Sequence, residues 1–155
     1  MPNTADEIRS ECASTFAANS DDCNKFVKGV TKRFFEPDLF QGANMNADAI
    51  IADMRGSADW ADLAKSHDQA IAEAKAGKIV VAGMTSAEIG DTNGHLAIIV
   101  GDDGQMSGTV MVPICYAGSL SVAARVQRQR VSSTFRAADA RDGKINYFSR
   151  DTQTS

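Results

Sequence analysis

The apolar residues change their spacing at Gly77, and that change limits the fold more than any other feature of the sequence. Ahead of it they recur every three or four residues, as on one face of a helix; behind it they come in short runs rich in β-branched side chains. Ile8, Cys12 and Phe16 fall at i, i+4 and i+8 and predict a first helix over 5–18, broken by Asn19 and Ser20. Asp21 or Asp22 caps a second helix carrying Phe26, Val27, Val30 and Phe34, which Pro37 ends. Asn46 is the expected cap of a helix over 47–55 that stops at Gly56. Two more helical stretches are expected, one from Ser57 with Trp60 and Leu63, one alanine-rich over 66–76 and closed by Gly77.

Beyond Gly77 the runs at 79–83, 95–100 and 109–112 predict strands, with others near 129–136 and 144–149. Asp102-Asp103-Gly104 is hairpin turn chemistry, so the strands on either side of it are expected to pair antiparallel. Helices followed by an antiparallel sheet make an α+β fold. With 155 residues, 43% hydrophobic and 23% charged, the chain suits one domain over 1–155 with one core.

Composition also excludes function classes. The net charge is −4 and the basic residues are dispersed, apart from Arg125, Arg128 and Arg130, so nucleic acid is not an expected partner. Those three arginines read as a solvated face or as a contact for an anionic polymer such as a bacterial cell wall. No stretch approaches the roughly 20 apolar residues of a membrane-spanning helix, and residues 1–9 have no apolar core, so neither a membrane nor a usual secretory signal is expected. Cys12, Cys23 and Cys115 are too few and too scattered for a disulfide framework or a zinc site, and an odd number leaves at least one free thiol. A Cys12–Cys115 bridge stays open. No cofactor is expected.

Two residues carry chemistry. Cys23 opens a helix, where the dipole and unpaired N–H groups favour a thiolate and could hold the oxyanion formed when a peptide carbonyl is attacked. Asp21 and Asp22 oppose that charge, so a nearby imidazolium is wanted. His67 lies in a polar helical stretch and reads as an exposed surface histidine. His95 follows the loop Asp91-Thr92-Asn93-Gly94 and opens an apolar strand, a rigid place for a base. Taken separately, a buried structural cysteine and a half-buried strand histidine are the commoner fates of such residues.

Taken together they resemble the NlpC-type, papain-like cysteine peptidases, which share the order of helix-leading cysteine, helix ending in glycine before a strand, and Gly-His on the next strand. A closer resemblance is to the type VI secretion amidase effectors, the family typified by a Pseudomonas peptidoglycan amidase toxin. It is carried by Asp22-Cys23-Asn24-Lys25-Phe26-Val27, by 76–83 leading to Gly94-His95-Leu96-Ala97-Ile98-Ile99-Val100, and by Arg141-Asp142-Gly143-Lys144-Ile145-Asn146-Tyr147-Phe148. Cys115-Tyr116-Ala117-Gly118-Ser119 is a weaker fourth block, and the likeness runs from about residue 21 to 149.

The resemblance implies a peptidoglycan amidase cleaving the γ-D-glutamyl–diaminopimelate bond of the stem peptide, with Cys23 as nucleophile and His95 as base. It further implies a toxin made in the bacterial cytoplasm, exported without a signal peptide to a target periplasm, with a secretion apparatus and a cognate immunity protein as partners. One departure stands out. The expected hairpin sets His95 opposite about 112–115, where no Asp, Asn, Gln or His is found to orient it. A backbone carbonyl, the Tyr116 hydroxyl and the Cys115 sulfur remain as its acceptor, and the expected machinery is a Cys23–His95 dyad. A housekeeping wall hydrolase or acyltransferase, and a binding domain without catalysis, are the competing readings.

Overall fold

The computed structural model describes residues 4–40 and 45–153; residues 1–3, 41–44 and 154–155 of the expected domain lie outside the described residues. Helix α1 (Thr4–Asn19) buries Ala5, Ile8, Cys12 and Thr15, while Phe16 of the expected face is only partly buried against the same core. Helix α2 (Cys23–Thr31) is capped by Asp22 and buries Phe26, Val27 and Val30. It stops well short of Pro37. The Thr31 hydroxyl turns back on the carbonyl of Val27 at 2.9 Å, and Phe34 follows in a turn, still buried. Helix α3 (Ala47–Gly56) has Asn46 as its cap, accepting from the N–H of Ala49 at 2.9 Å.

The helix expected from Ser57 does not form. Asp62 accepts the N–H of Ala64 at 2.8 Å, an Asx turn, and Ala64 and Lys65 take left-handed φ values of 54° and 61°. That local alternative outcompetes a helix, and Ala61–Asp62 becomes a short edge strand, β1. Trp60 and Leu63 are buried all the same. Helix α4 (His67–Lys75) starts at its Ser66 cap, and Gly77 leaves it at φ 90°.

The remaining elements are β2 (Ile79–Met84), the single-turn α5 (Ser86–Ile89), β3 (His95–Ile99), β4 (Gln105–Ser107), β5 (Val110–Val112), β6 (Ile114–Ala117), β7 (Val126–Arg130), α6 (Ala137–Arg141) and β8 (Asn146–Arg150). Among the described residues the main sheet runs β1-β8-β2-β3-β6-β7, and every ladder in it is antiparallel. The fold is α+β.

One expected pairing is wrong. β3 does not pair with Val110–Val112, which instead closes a tight separate hairpin with β4 through Gly108 at φ 63°. The neighbour of β3 is β6, with Ile98 opposite Tyr116 and Ile99 opposite Cys115. All four β6 residues are buried, which suits the interior of a sheet, whereas Met106 and Met111 of the small hairpin stay exposed. The strand expected at 129–136 is also displaced: β7 ends at Arg130 and the chain turns over Val131–Ser133.

The sheet separates two apolar layers. Ile79, Val81, Leu96 and Ile98 face α1, α2 and α3, meeting Ile8, Phe26, Val27, Val30, Ile50 and Ile51. Val80, Ala82, Ala97 and Ile99 face the other way, toward Ala70 and Ala74 of α4 and Ala140 of α6. Full burial of Phe26, Val27 and Val30 contributes on the order of 1.5–3 kcal/mol each and fixes α2 against β3. That contact sets the N-terminus of α2 beside the start of β3. No helix among the described residues is long and apolar enough to cross a membrane.

Candidate active site

Cys23 is the first residue of α2, and Asp22 determines what surrounds it. The Asp22 carboxylate accepts the N–H groups of Asn24 at 2.8 Å and Lys25 at 3.0 Å, while its carbonyl accepts that of Phe26 at 3.0 Å. Asp22 is thus a cap, and it occupies most of the donors the sequence offers for an oxyanion. The Cys23 N–H is left over. Cys23 as a residue is only 9% exposed, and its thiol donates to Asn24 Oδ1 at 3.4 Å. Burial pushes its pKa up to about 11. The N–H of Leu96 pulls the other way, the Asp22 charge adds to the rise, and the N–H groups of Cys23 and Asn24 lower it slightly.

His95 opens β3 opposite Met84 of β2. Just ahead of it, any side chain at Gly94 would collide: a Cβ there would lie 2.6 Å from Asp48 Oδ1 and 2.8 Å from the Met84 carbonyl. This close approach clamps the strand start against α3. The ring packs edge-on to Phe135, with centroids 4.8 Å apart, and burial lowers its pKa to about 4.

Its Nε2 lies 2.7 Å from the hydroxyl of Thr134, and that hydroxyl donates to the carbonyl of Ala124 at 2.6 Å. Because the Thr134 proton is spent on Ala124, its oxygen must accept from the ring. The network therefore assigns the proton to Nε2 and the lone pair to Nδ1. Neither Tyr116, Cys115 nor a backbone carbonyl is the group that orients His95. Carrying the β3–β6 register three residues past Ile98 and Tyr116 sets His95 level with Ser119, while Cys115 is fully buried. The orienting hydroxyl comes instead from the turn after β7. Sequence offers only a faint signal for it, the hydroxyl run Ser132-Ser133-Thr134 ahead of Phe135.

Cys23, Asn24, His95 and Thr134 line one cleft of about 610 Å³, walled by the start of α3, the loop 89–94 and the segment 119–121. By strand alternation His95 belongs to the layer of Phe135 and Cys23 to that of Leu96, and both line the cleft at the end of β3. Burial raises the pKa of Cys23 and lowers that of His95, and both shifts oppose the ion pair expected from the sequence.

His67 is elsewhere, and it is not an exposed surface residue. Its Nε2 donates to the carbonyl of Ala140 at 2.6 Å and its Nδ1 accepts from the Tyr147 hydroxyl at 2.8 Å, tying α4 to α6 and β8. The three arginines have structural partners too: Arg125 holds the Ser119 carbonyl, Arg128 forks onto Asp102, and Arg130 reaches the Met106 carbonyl. All three cysteines are free thiols, so Cys12 and Cys115 are not bridged. Among the described residues no three His, Cys, Asp or Glu side chains gather closely enough to hold a metal ion.

Compared with the models of known families and with curated proteins, the sequence matches none.

Proposed function

We propose that this protein is a cysteine peptidase of the papain-like, NlpC type that hydrolyses an amide bond in the stem peptide of peptidoglycan. The observation that supports this most is a cysteine at a helix start sharing a cleft with a histidine whose Nε2 is held by Thr134, leaving Nδ1 as the free base. His95 takes the thiol proton as the Cys23 sulfur attacks the carbonyl carbon, then returns it to the leaving amine. Water, activated by the same nitrogen, hydrolyses the acyl-enzyme and restores the thiol. The γ-D-glutamyl–diaminopimelate bond, delivery by type VI secretion, action in a target periplasm and an immunity partner rest on the sequence resemblance alone.

The burial that holds Cys23 as a thiol up to about 11 favours a second reading, a binding domain in which the cysteine is inert. Compartment and a single substitution distinguish the two. Peptidoglycan lies outside the cytoplasmic membrane, so the wild type should be harmless in the cytosol and should lyse a Gram-negative host once a secretory signal directs it to the periplasm. Exported Cys23→Ala should not lyse the cells. Lysis from the cytosol, or by the exported variant, would contradict a wall amidase.

A further inference from the structure

An oxyanion site needs donors aimed at the developing charge, and one backbone N–H is a meagre supply. Asp22 removes Asn24 N and Lys25 N from that role, which leaves Cys23 N as the free donor of the first turn. The missing donor stands beside the sulfur. Asn24 lines the cleft, and its carboxamide already meets the thiol, Sγ–H donating to Oδ1 at 3.4 Å. The amide nitrogen Nδ2 hangs from the same carbon.

We infer that the Asn24 carboxamide is a catalytic group that exchanges its two ends during the reaction, accepting from the thiol at rest and donating through Nδ2 to the oxyanion. This rests on the reading of Cys23 as a nucleophile. Once the thiol proton has passed to His95 Nδ1, the sulfur has only lone pairs and Oδ1 beside it becomes repulsive. The terminal amide torsion is broad and roughly two-fold, so a half-turn replaces Oδ1 by Nδ2 without moving the side chain. The sulfur–carbon bond then forms, the carbonyl π pair moves onto oxygen, and that oxygen is met by Nδ2 and by the Cys23 N–H. Collapse of the intermediate breaks the carbon–nitrogen bond, and the amine leaves with the proton from His95. Both oxyanion donors are neutral amides, so no further charged side chain has to be buried beside Cys23 and His95 to hold the negative oxygen.

Two small reagents test this without the wall substrate. Acylation by p-nitrophenyl acetate passes through a tetrahedral oxyanion, whereas alkylation by iodoacetamide needs the sulfur but forms no oxyanion. Asn24→Ala should slow acylation of Cys23 about 10²–10³-fold and leave alkylation at the same pH within about threefold of wild type, the loss expected of one oxyanion donor. Asn24 is not the helix cap, so the variant should melt like wild type. Equal slowing of both reactions, undiminished acylation, or a wild type that p-nitrophenyl acetate does not acylate would each overturn the inference. A wild type that is acylated but leaves stem peptides intact would refute the proposed substrate and leave Asn24's role standing.

Discussion

At the scale of single residues the proposed chemistry depends on Thr134, because a neutral imidazole can act as a base only through a nitrogen that lacks its proton. The Thr134 hydroxyl cannot accept at Ala124, a carbonyl, so it cannot donate to the ring, and the tautomer follows. Thr134→Val keeps the shape and removes the acceptor. Steady-state kinetics should then show kcat falling by about 10²-fold with KM little changed, and thermal melting should show a loss of about 1–3 kcal/mol from the stranded Nε2–H. An unchanged kcat would show that Phe135 packing alone orients the ring. Cys23 and His95 were legible because their neighbours in sequence, a capping aspartate and a glycine-led strand, are also what fixes them in space. Thr134 was not legible, since its tie to His95 spans 39 residues and no local pattern marks it.

At the scale of elements, the cleft is held open and in register by two close backbone approaches. One is at Gly94. The other is at Gly118, just past β6, where a Cβ would lie 2.6 Å from the carbonyl of Asn19 and 2.8 Å from that of Asp22. The neighbouring Ser119 N–H donates to the Ser20 carbonyl at 2.9 Å, so the end of β6 is stapled to the loop that presents Cys23. Gly118→Ala should push that loop away, costing about 1–3 kcal/mol in denaturant unfolding and lowering kcat, because backbone oxygens have nowhere to retreat. A variant as stable and active as wild type would mean that the loop adjusts freely. Apolar spacing revealed α1 and α2, the Asn46 cap and Gly56 revealed α3, alanine content ending at Gly77 revealed α4, and β-branched runs revealed β2 and β3. Such local signals failed where pairing is decided by packing: a turn after β3 invited a hairpin, but the fully buried Ile114–Ala117 claimed the interior position.

For the molecule as a whole, burying His95 ties stability to pH. Its pKa falls from the ordinary 6.5 to about 4, so below 6.5 the unfolded chain takes up a proton that the native state resists. This contribution is intact above pH 6.5 and is lost as pH falls toward 4, amounting to at most about 3 kcal/mol by the linkage relation. Urea unfolding between pH 7 and 4 should show that decline, and His95→Gln should flatten it. An unaltered slope in the variant would place the acid sensitivity elsewhere. His67, by contrast, has both nitrogens engaged in tying α4 to α6 and β8, so its removal should act through stability rather than through chemistry.

The most direct test of the whole account is mass spectrometry of purified peptidoglycan fragments after incubation with wild type, Cys23→Ala, His95→Ala and His67→Ala. Wild type should release stem peptides cut at one amide bond, each cut adding one water. Cys23→Ala should release none, His95→Ala should lose several orders of magnitude in rate, and folded His67→Ala should cut at the same bond as wild type. Fragments left intact by the wild type, or cut equally well by Cys23→Ala, would contradict the assignment of this cleft to a cysteine amidase.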